Sequence, residues 1–366
     1  MKLFGGKRVS TGMLSAIAIV AAIALIVFLR IRSLDKPRPH WEEDVHRANV
    51  EGARQMLEVA FLPVTCHLTC PVTDYASRTS TTGTEFDALR FTEFPPIIEA
   101  LKSKKILAGF VTVPIAMKMR EQGVPIRICC LGHRDGSELV VRKDLPAKTF
   151  RDLLGMSIAI PSPFSNENFF VNKMLRDQGF TPEQFTFVVL PPPDMVAALA
   201  TKAIDAFIVA EPFCAKAELD GHGRVLYYAK DIWPNYISCC LVVHQDLISE
   251  KPEVVRDLVR GIYESGEWTE QNRMAAAKLA SPYFRQDQKL LEYVLTRPPD
   301  RVTYRNLNPT DEELQKIQDM GASLGFLKLK LPIDQLIDRS FIPENVKAPN
   351  LDLSRLPELA PHEKSK

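Results

Sequence analysis

From Leu57 to His244, short apolar runs of strand length alternate with stretches bounded by helix-start and helix-stop residues. That alternation is the tightest constraint on this chain. A strand, a helix and a second strand pack as a βαβ unit, and repeated units build an α/β fold on mainly parallel sheets. Leu57–Val64 is the first such run, and Thr69-Cys70-Pro71 places a capping hydroxyl and a proline where a helix would start. Glu85–Phe91 is a weak alternating strand, and Pro95-Pro96 opens a helix with Ile97, Ala100 and Leu101 on one face. Ile106–Val111 and Ile126–Leu131 follow as strands around a helix that begins at Pro114 and ends before Gly123.

The pattern then repeats. Met156–Ile160, Phe185–Leu190 and Ile204–Ala210 read as strands, separated by helices over Asn166–Gln178 and Pro192–Ala200. Ile237–His244 is long and apolar enough for a strand buried on both faces. Beyond Lys251 the chain reads as helical, and Thr310 with Glu313 forms a capping box. After Val346 periodicity stops, so 346–366 is expected to be a flexible tail.

A chain of 366 residues exceeds what one hydrophobic core usually organises, so about two domains are expected. Lys and Arg number 46 against 45 Asp and Glu, which leaves no global electrostatic case for a nucleic-acid partner. Lys2, Lys7 and Arg8 precede an uncharged apolar run, Met13–Leu29, and Arg30, Arg32 and Lys36 follow it. As a helix that run reaches about 25 Å, just short of a typical hydrocarbon core. It fits a long signal peptide or an uncleaved signal anchor. The expectation adopted is a transmembrane anchor over 1–32, with a polar spacer over 33–55.

Two strings carry a family resemblance: Pro191-Pro192-Pro193-Asp194-Met195-Val196-Ala197-Ala198-Leu199 and Ile204-Asp205-Ala206-Phe207-Ile208-Val209-Ala210-Glu211-Pro212-Phe213. Asp231-Ile232-Trp233-Pro234, Leu241-Val242-Val243, Gly325-Phe326, Ile333-Asp334 and Ser340-Phe341 add to them in order. Together they resemble the periplasmic solute-binding proteins of ABC importers for nitrate, sulfonates and taurine, with their NMT1/THI5-like kin. The resemblance runs from about Glu58 to Phe341. It implies a two-lobed periplasmic binding protein fold of type II, with lobe I over 56–140 and 240–345 and lobe II over 141–239. Hinges are implied near Val140–Leu145 and Tyr236–Cys239, with closure around a solute.

In α/β sheets ligands sit beyond the carboxyl ends of strands, so the loops there nominate site residues. His67 and Thr69 follow the first strand, and Thr112 ends another. Phe164, Ser165 and Asn166 offer an aromatic cover, a hydroxyl and an amide at a helix start. Glu211 either accepts from an amine or guanidinium on the solute, caps its own helix, or locks lobe packing. Arg134, beside Ser137 in a polar turn, either pairs with Asp135 or neutralises an anionic solute.

Cys66-His67-x-x-Cys70 groups two thiols and an imidazole. Copper or zinc, a Cys66–Cys70 disulfide, or free thiols all suit it. With no second Cys/His cluster at suitable spacing, no metal is assigned. Cys129-Cys130 and Cys239-Cys240 lie in apolar strands and read as core. No G-x-S-x-G, H-E-x-x-H or G-x-x-x-x-G-K-[ST] string is present. The resemblance extends to enzymes that make the thiamine pyrimidine, whose C-C-C-F-C string is absent here, and it keeps a small heteroaromatic solute in view.

The expectation is therefore a non-enzymatic receptor with no cofactor, tethered at the periplasmic face of the inner membrane or released if its signal is cleaved. Its partners would be a small solute, either a sulfonate- or nitrate-like anion favoured by the helix starts facing the cleft or a small heteroaromatic, and the permease and ATPase subunits of the importer. The alternatives are a solute sensor for a membrane signalling partner, and a metal-binding or thiol enzyme using Cys66, His67 and Cys70.

Overall fold

The computed structural model describes residues 54–359. The expected anchor at 13–29 and nearly all of the spacer lie outside the described residues. Among the described residues, no helix is long and apolar enough to cross a membrane.

The first half builds β1 (Met56–Phe61), α1 (Thr69–Thr79), β2 (Glu85–Arg90), α2 (Phe94–Lys102), β3 (Ala108–Thr112), α3 (Val113–Glu121) and β4 (Ile126–Leu131). A short strand, β5 (Arg134–Asp135), then leads to β6 (Ser137–Arg142), β7 (Ser157–Ile160), α4 (Asn166–Gln178), β8 (Thr186–Val189), α5 (Pro192–Ala200), β9 (Ala206–Ala210), α6 (Phe213–Leu219) and β10 (Gly223–Tyr228). The chain returns through β11 (Cys239–His244) to α7 (Pro252–Gln271), α8 (Arg273–Phe284), α9 (Gln288–Thr296), β12 (Val302–Thr303) and α10 (Asp311–Ser323).

Two five-stranded sheets result, ordered β2-β1-β3-β11-β4 and β10-β6-β9-β7-β8, with β12 and β5 paired separately. The apolar runs take the inner places. Every residue of β3, β9 and β11 is buried, as strands covered by helices on both faces require. Helix α7 turns Val254, Val255, Leu258, Val259 and Ile262 inward at helical spacing.

The expectation of mainly parallel sheets needs correcting, because both sheets are mixed. β1 runs parallel to β2 and β3, but β11 is antiparallel to β3 and β4. β7 runs parallel to β8 and β9, but β6 is antiparallel to β9 and β10. The cause is where the chain crosses. Cys239, the first residue of β11, lies opposite Thr112, the last of β3. Ser137, the first of β6, lies opposite Ala210, the last of β9. A strand that enters at the carboxyl ends of parallel neighbours must run back against them.

The first crossing also moves. It spans residues 132–136, before the expected Val140–Leu145, because Ser137–Val141 already pairs with β9. Asp135 and Gly136 there take left-handed φ of 62° and 74°, and a Cβ on Gly136 would lie 3.0 Å from Val302, so glycine suits the turn. The expected loose tail is ordered as far as residue 359. Leu356 is buried, and Asp352 accepts a hydrogen bond from the Tyr75 hydroxyl of α1.

Candidate functional site

The carboxyl ends of β1 and β3 face those of β7 and β9, and the loops beyond them touch directly. The Thr65 amide and hydroxyl donate to the Glu211 carbonyl at 2.7 and 3.3 Å. Thr112 Oγ1 donates to the Phe164 carbonyl at 3.2 Å. The return crossing threads between them: Ser238 accepts from the Val113 amide at 3.1 Å and from Asn166 Nδ2 at 2.9 Å. Thr65, His67, Ser137, Ser165, Glu167, Tyr236 and Ser238 are all buried here.

The nominated residues divide into two groups. His67, Thr112, Ser137, Phe164, Ser165 and Asn166 line this meeting of the two sheets' loops. His67 Nδ1 accepts from the Leu62 amide at 2.8 Å, so the neutral ring carries its proton on Nε2. Ser165 caps α4 by accepting from the Asn168 amide at 3.2 Å. Ser137 Oγ donates to Glu167 Oε1 at 3.1 Å. Phe164 packs edge-on against Phe326, with centroids 5.7 Å apart.

Three others serve the fold. Thr69 is no helix cap, because its hydroxyl reaches across to the Gly132 carbonyl at 3.4 Å. Arg134 pairs with neither Asp135 nor open solvent. Its guanidinium holds Glu313 at 2.7 Å and the Asn306 carbonyl at 2.8 Å. The Glu211 carboxylate accepts from the Ala215 amide at 2.9 Å and faces Arg301 at 2.6 Å.

Arg301 anchors a second buried cluster. Its guanidinium lies 2.7 Å from Glu218 and 3.4 Å from Glu138. Glu138, Glu211 and Cys214 offer ligand atoms within 4.8 Å of one another, but Arg301 supplies the cation that balances them. Burial, then the neighbouring Glu211, pushes the Glu138 carboxyl well up.

Around the return crossing several buried polar atoms have no hydrogen-bond partner: His67 Nε2, His133 Nδ1, Asn166 Oδ1, Glu167 Oε2 and the Tyr236 hydroxyl. An unpaired buried polar group costs about 1–3 kcal/mol, so such a concentration marks a place where something else completes the bonds. The set is rich in acceptors. His133 Nε2 is spent on the Asp135 carbonyl at 2.8 Å, which leaves Nδ1 as an acceptor. Asn166 spends its amide nitrogen on the Ile237 and Ser238 carbonyls, which leaves the oxygen. Glu167 contributes a carboxylate.

Burial pushes the Glu167 carboxyl up to about 7, with the nearby Cys239 adding to it. Burial holds the His133 imidazole down, to about 4. The native fold thus keeps the Glu167 proton more tightly than the unfolded chain does. Its contribution is complete below the unfolded value of 4.5 and is lost as pH rises through about 7. His133 acts oppositely, costing stability as pH falls from 6.5 towards about 4. Between about pH 8 and pH 6.5 Glu167 contributes about 0.8 kcal/mol and His133 offsets about half of it, and comparison with Glu167→Gln cancels the His133 part. The urea midpoint of the wild type is expected to rise over that step, and Glu167→Gln to fall short of it by the Glu167 part. Equal slopes in the two proteins would count against the assignment.

Glu167, Tyr236, Ser238, Cys239 and Arg301 escaped the sequence reading. A Glu in the first turn of a helix reads as a partner of the helix dipole, which hides a carboxylate aimed at a cleft. Tyr236 and Ser238 lay in a segment marked only as a hinge, and Cys239 in an apolar run.

Residues 51–281 match the model of the NMT1-like family. The taurine-binding periplasmic protein of Escherichia coli is 29% identical over 188 residues, covering 50% of this chain and 57% of that protein. The bicarbonate transport ATP-binding protein CmpC of Synechocystis is 27% identical over 178 residues, covering 45% of this chain and 27% of that protein. The chain thus spans between 27% and 57% of the length of these relatives. A ligand-binding component of an ABC-type import system from Staphylococcus aureus, solved with zinc bound, has a TM-score of 0.72 at 21% identity. That likeness covers 80% of this chain and 99% of the other, and it shows the fold.

Proposed function

Because the chain belongs to the NMT1-like family, we propose that it is the extracytoplasmic solute-binding component of an ABC importer. It captures a small solute between its lobes and presents the closed form to a permease and its ATPase. Residues 13–29 tether it to the periplasmic face of the inner membrane, or a cleaved signal releases it. Lobe I comprises the first sheet with its flanking helices, lobe II the second, and the crossings at 132–136 and near Tyr236–Ser238 act as the hinge.

The observation that carries this reading is the group of unpartnered polar atoms buried where the lobes meet. It also favours one solute class over another. Nitrate and sulfonates present only acceptor oxygens, and a dry site rich in acceptors with a carboxylate repels them. The nearby guanidiniums of Arg134 and Arg301 are already held by Glu313, Glu211 and Glu218. A small heteroaromatic base with N–H donors fits His133 Nδ1, Asn166 Oδ1 and Glu167, and Tyr236 supplies a ring to cover it.

Titration calorimetry with 4-aminopyrimidine and 4-aminopyridine, set against nitrate and ethanesulfonate, tests the choice. The bases are expected to bind and the anions not. Glu167→Gln is expected to weaken the bases about tenfold, the loss of one charge-assisted hydrogen bond. Binding of nitrate or ethanesulfonate with the bases silent would refute the solute assignment and leave the receptor reading standing.

A further inference from the structure

Gly325-Phe326, one of the strings that carry the family resemblance, takes no part in the site at the return crossing. It closes α10. The Phe326 amide donates to the Gly321 carbonyl at 2.8 Å, and the Gly325 amide to the Ala322 carbonyl at 3.0 Å. This Schellman pairing puts Gly325 in the left-handed region, with φ of 73°. It also fixes the direction in which residue 326 leaves the helix.

The Phe326 backbone is held beside the first sheet. α10 packs on α3, the helix after β3. Lys118 of α3 donates to the Phe326 carbonyl at 2.9 Å, and Glu121 accepts from the Leu329 amide at 2.8 Å. The Phe326 ring instead meets the second sheet's helix, α4, which follows β7. It stacks on Phe169 with centroids 5.2 Å apart and planes 9° from parallel, and it meets Phe164 edge-on at 5.7 Å. Arg176, about two turns further along α4, donates to Ser323 Oγ at 2.9 Å. Phe169 is fully buried, and Phe164 and Phe326 are half-buried.

Given the two-lobed receptor reading, on which this rests, we propose that Phe326 is a latch: it holds the lobes closed and so sets how fast a solute escapes. Opening about the crossings at 132–136 and Tyr236–Ser238 carries α4 away from α3 and α10, and the ring then loses both aromatic partners. The Arg301 cluster lies at the hinge instead, because Arg301 adjoins Val302, which pairs with Asp135 in the first crossing. Two aromatic contacts made only in the closed form raise the closed-to-open ratio about tenfold. Every contact at this junction comes from the chain itself, so the latch acts with or without a solute. A solute leaves only when the lobes part, so its release slows by the same factor.

Hydrogen exchange on the full chain in detergent, without solute, reads closure directly. The Thr65 amide is bonded to the Glu211 carbonyl across the junction at 2.7 Å, so it exchanges when the lobes part. The amides of β11 exchange only when the first sheet itself opens. Phe326→Ala is expected to speed exchange at Thr65 about tenfold and to leave β11 unchanged. Arg176→Ala, which removes one hydrogen bond from an exposed side chain, is expected to speed it about threefold. Stopped-flow mixing with a bound solute should show release about tenfold faster from Phe326→Ala and capture no slower. Exchange at Thr65 left at the wild-type rate in both variants, or matched acceleration across β11, overturns the latch. A solute that binds while Thr65 does not respond fails the latch and leaves the receptor reading. Thr65 responding while every solute is silent does the reverse.

Discussion

Arg301→Met is expected to lower the unfolding free energy by about 3–5 kcal/mol, the usual cost of removing one partner from a buried ion cluster. Arg301 is 1% exposed and belongs to the segment between α9 and β12, yet every carboxylate it meets comes from the second sheet and the helix that follows β9. Glu211 lies at 2.6 Å, Glu218 at 2.7 Å and Glu138 at 3.4 Å, and the guanidinium also donates to the Arg297 carbonyl at 3.2 Å. The rings of Tyr228 and Tyr293 stand 5.6 Å from its centre. Methionine fills much of that space but supplies no charge, so Glu138 and Glu211 are left side by side without a cation.

The sign of the pH dependence follows. Glu138 already sits well above the ordinary carboxyl range through burial and its Glu211 neighbour. Without Arg301 both acids gain by taking up protons, so the deficit should be largest near about pH 8 and shrink towards about pH 5. Urea unfolding at the two pH values measures it. A loss below about 1 kcal/mol that does not vary with pH would mean the cluster is already neutral, and the electrostatic account would fail.

The contrast between these residues and the sequence explains what could be read in advance. Alternation of apolar runs is a local property, and it located β3, β9 and β11. The Thr310 box is local too: Thr310 Oγ1 accepts from the Glu313 amide at 3.1 Å, and Glu313 accepts from the Thr310 amide at 2.8 Å. Strand direction is not local. Periodicity is the same for a strand running either way, so the antiparallel entry of β6 and β11 was invisible. Arg301 carried no local signal, because its three acids lie 83 to 163 residues earlier in the chain (301 − 218 and 301 − 138). Thr69 looked like a helix cap since hydroxyl and proline sat at the right spacing, but the Gly132 carbonyl brought beside it by β4 offered another acceptor.

Gly132→Ala is expected to cost about 3 kcal/mol and to abolish capture of 4-aminopyrimidine, the upper range for forcing an extra methyl into a packed site. The limit here is space, since no left-handed φ is required. An added Cβ would lie 2.6 Å from the Cys66 carbonyl oxygen and 2.8 Å from the Phe110 ring. Neither neighbour can yield cheaply. Cys66 belongs to the turn whose Thr65 amide and carbonyl are tied to Glu211 and to the Tyr304 hydroxyl, the latter at 2.8 Å. The Phe110 ring packs on His67 with centroids 5.1 Å apart, so moving it moves a site residue. Gly132 itself is held through its amide to Cys239 and its carbonyl to Thr69. The methyl must therefore displace either the turn or the ring, and both displacements reach His67 and the Gly132–Cys239 hydrogen bond. Binding should fall further than stability alone accounts for. Urea unfolding and calorimetry on the same preparation separate the two effects. Full binding by a merely less stable Gly132→Ala protein would show that the floor of the cleft does not depend on this close approach.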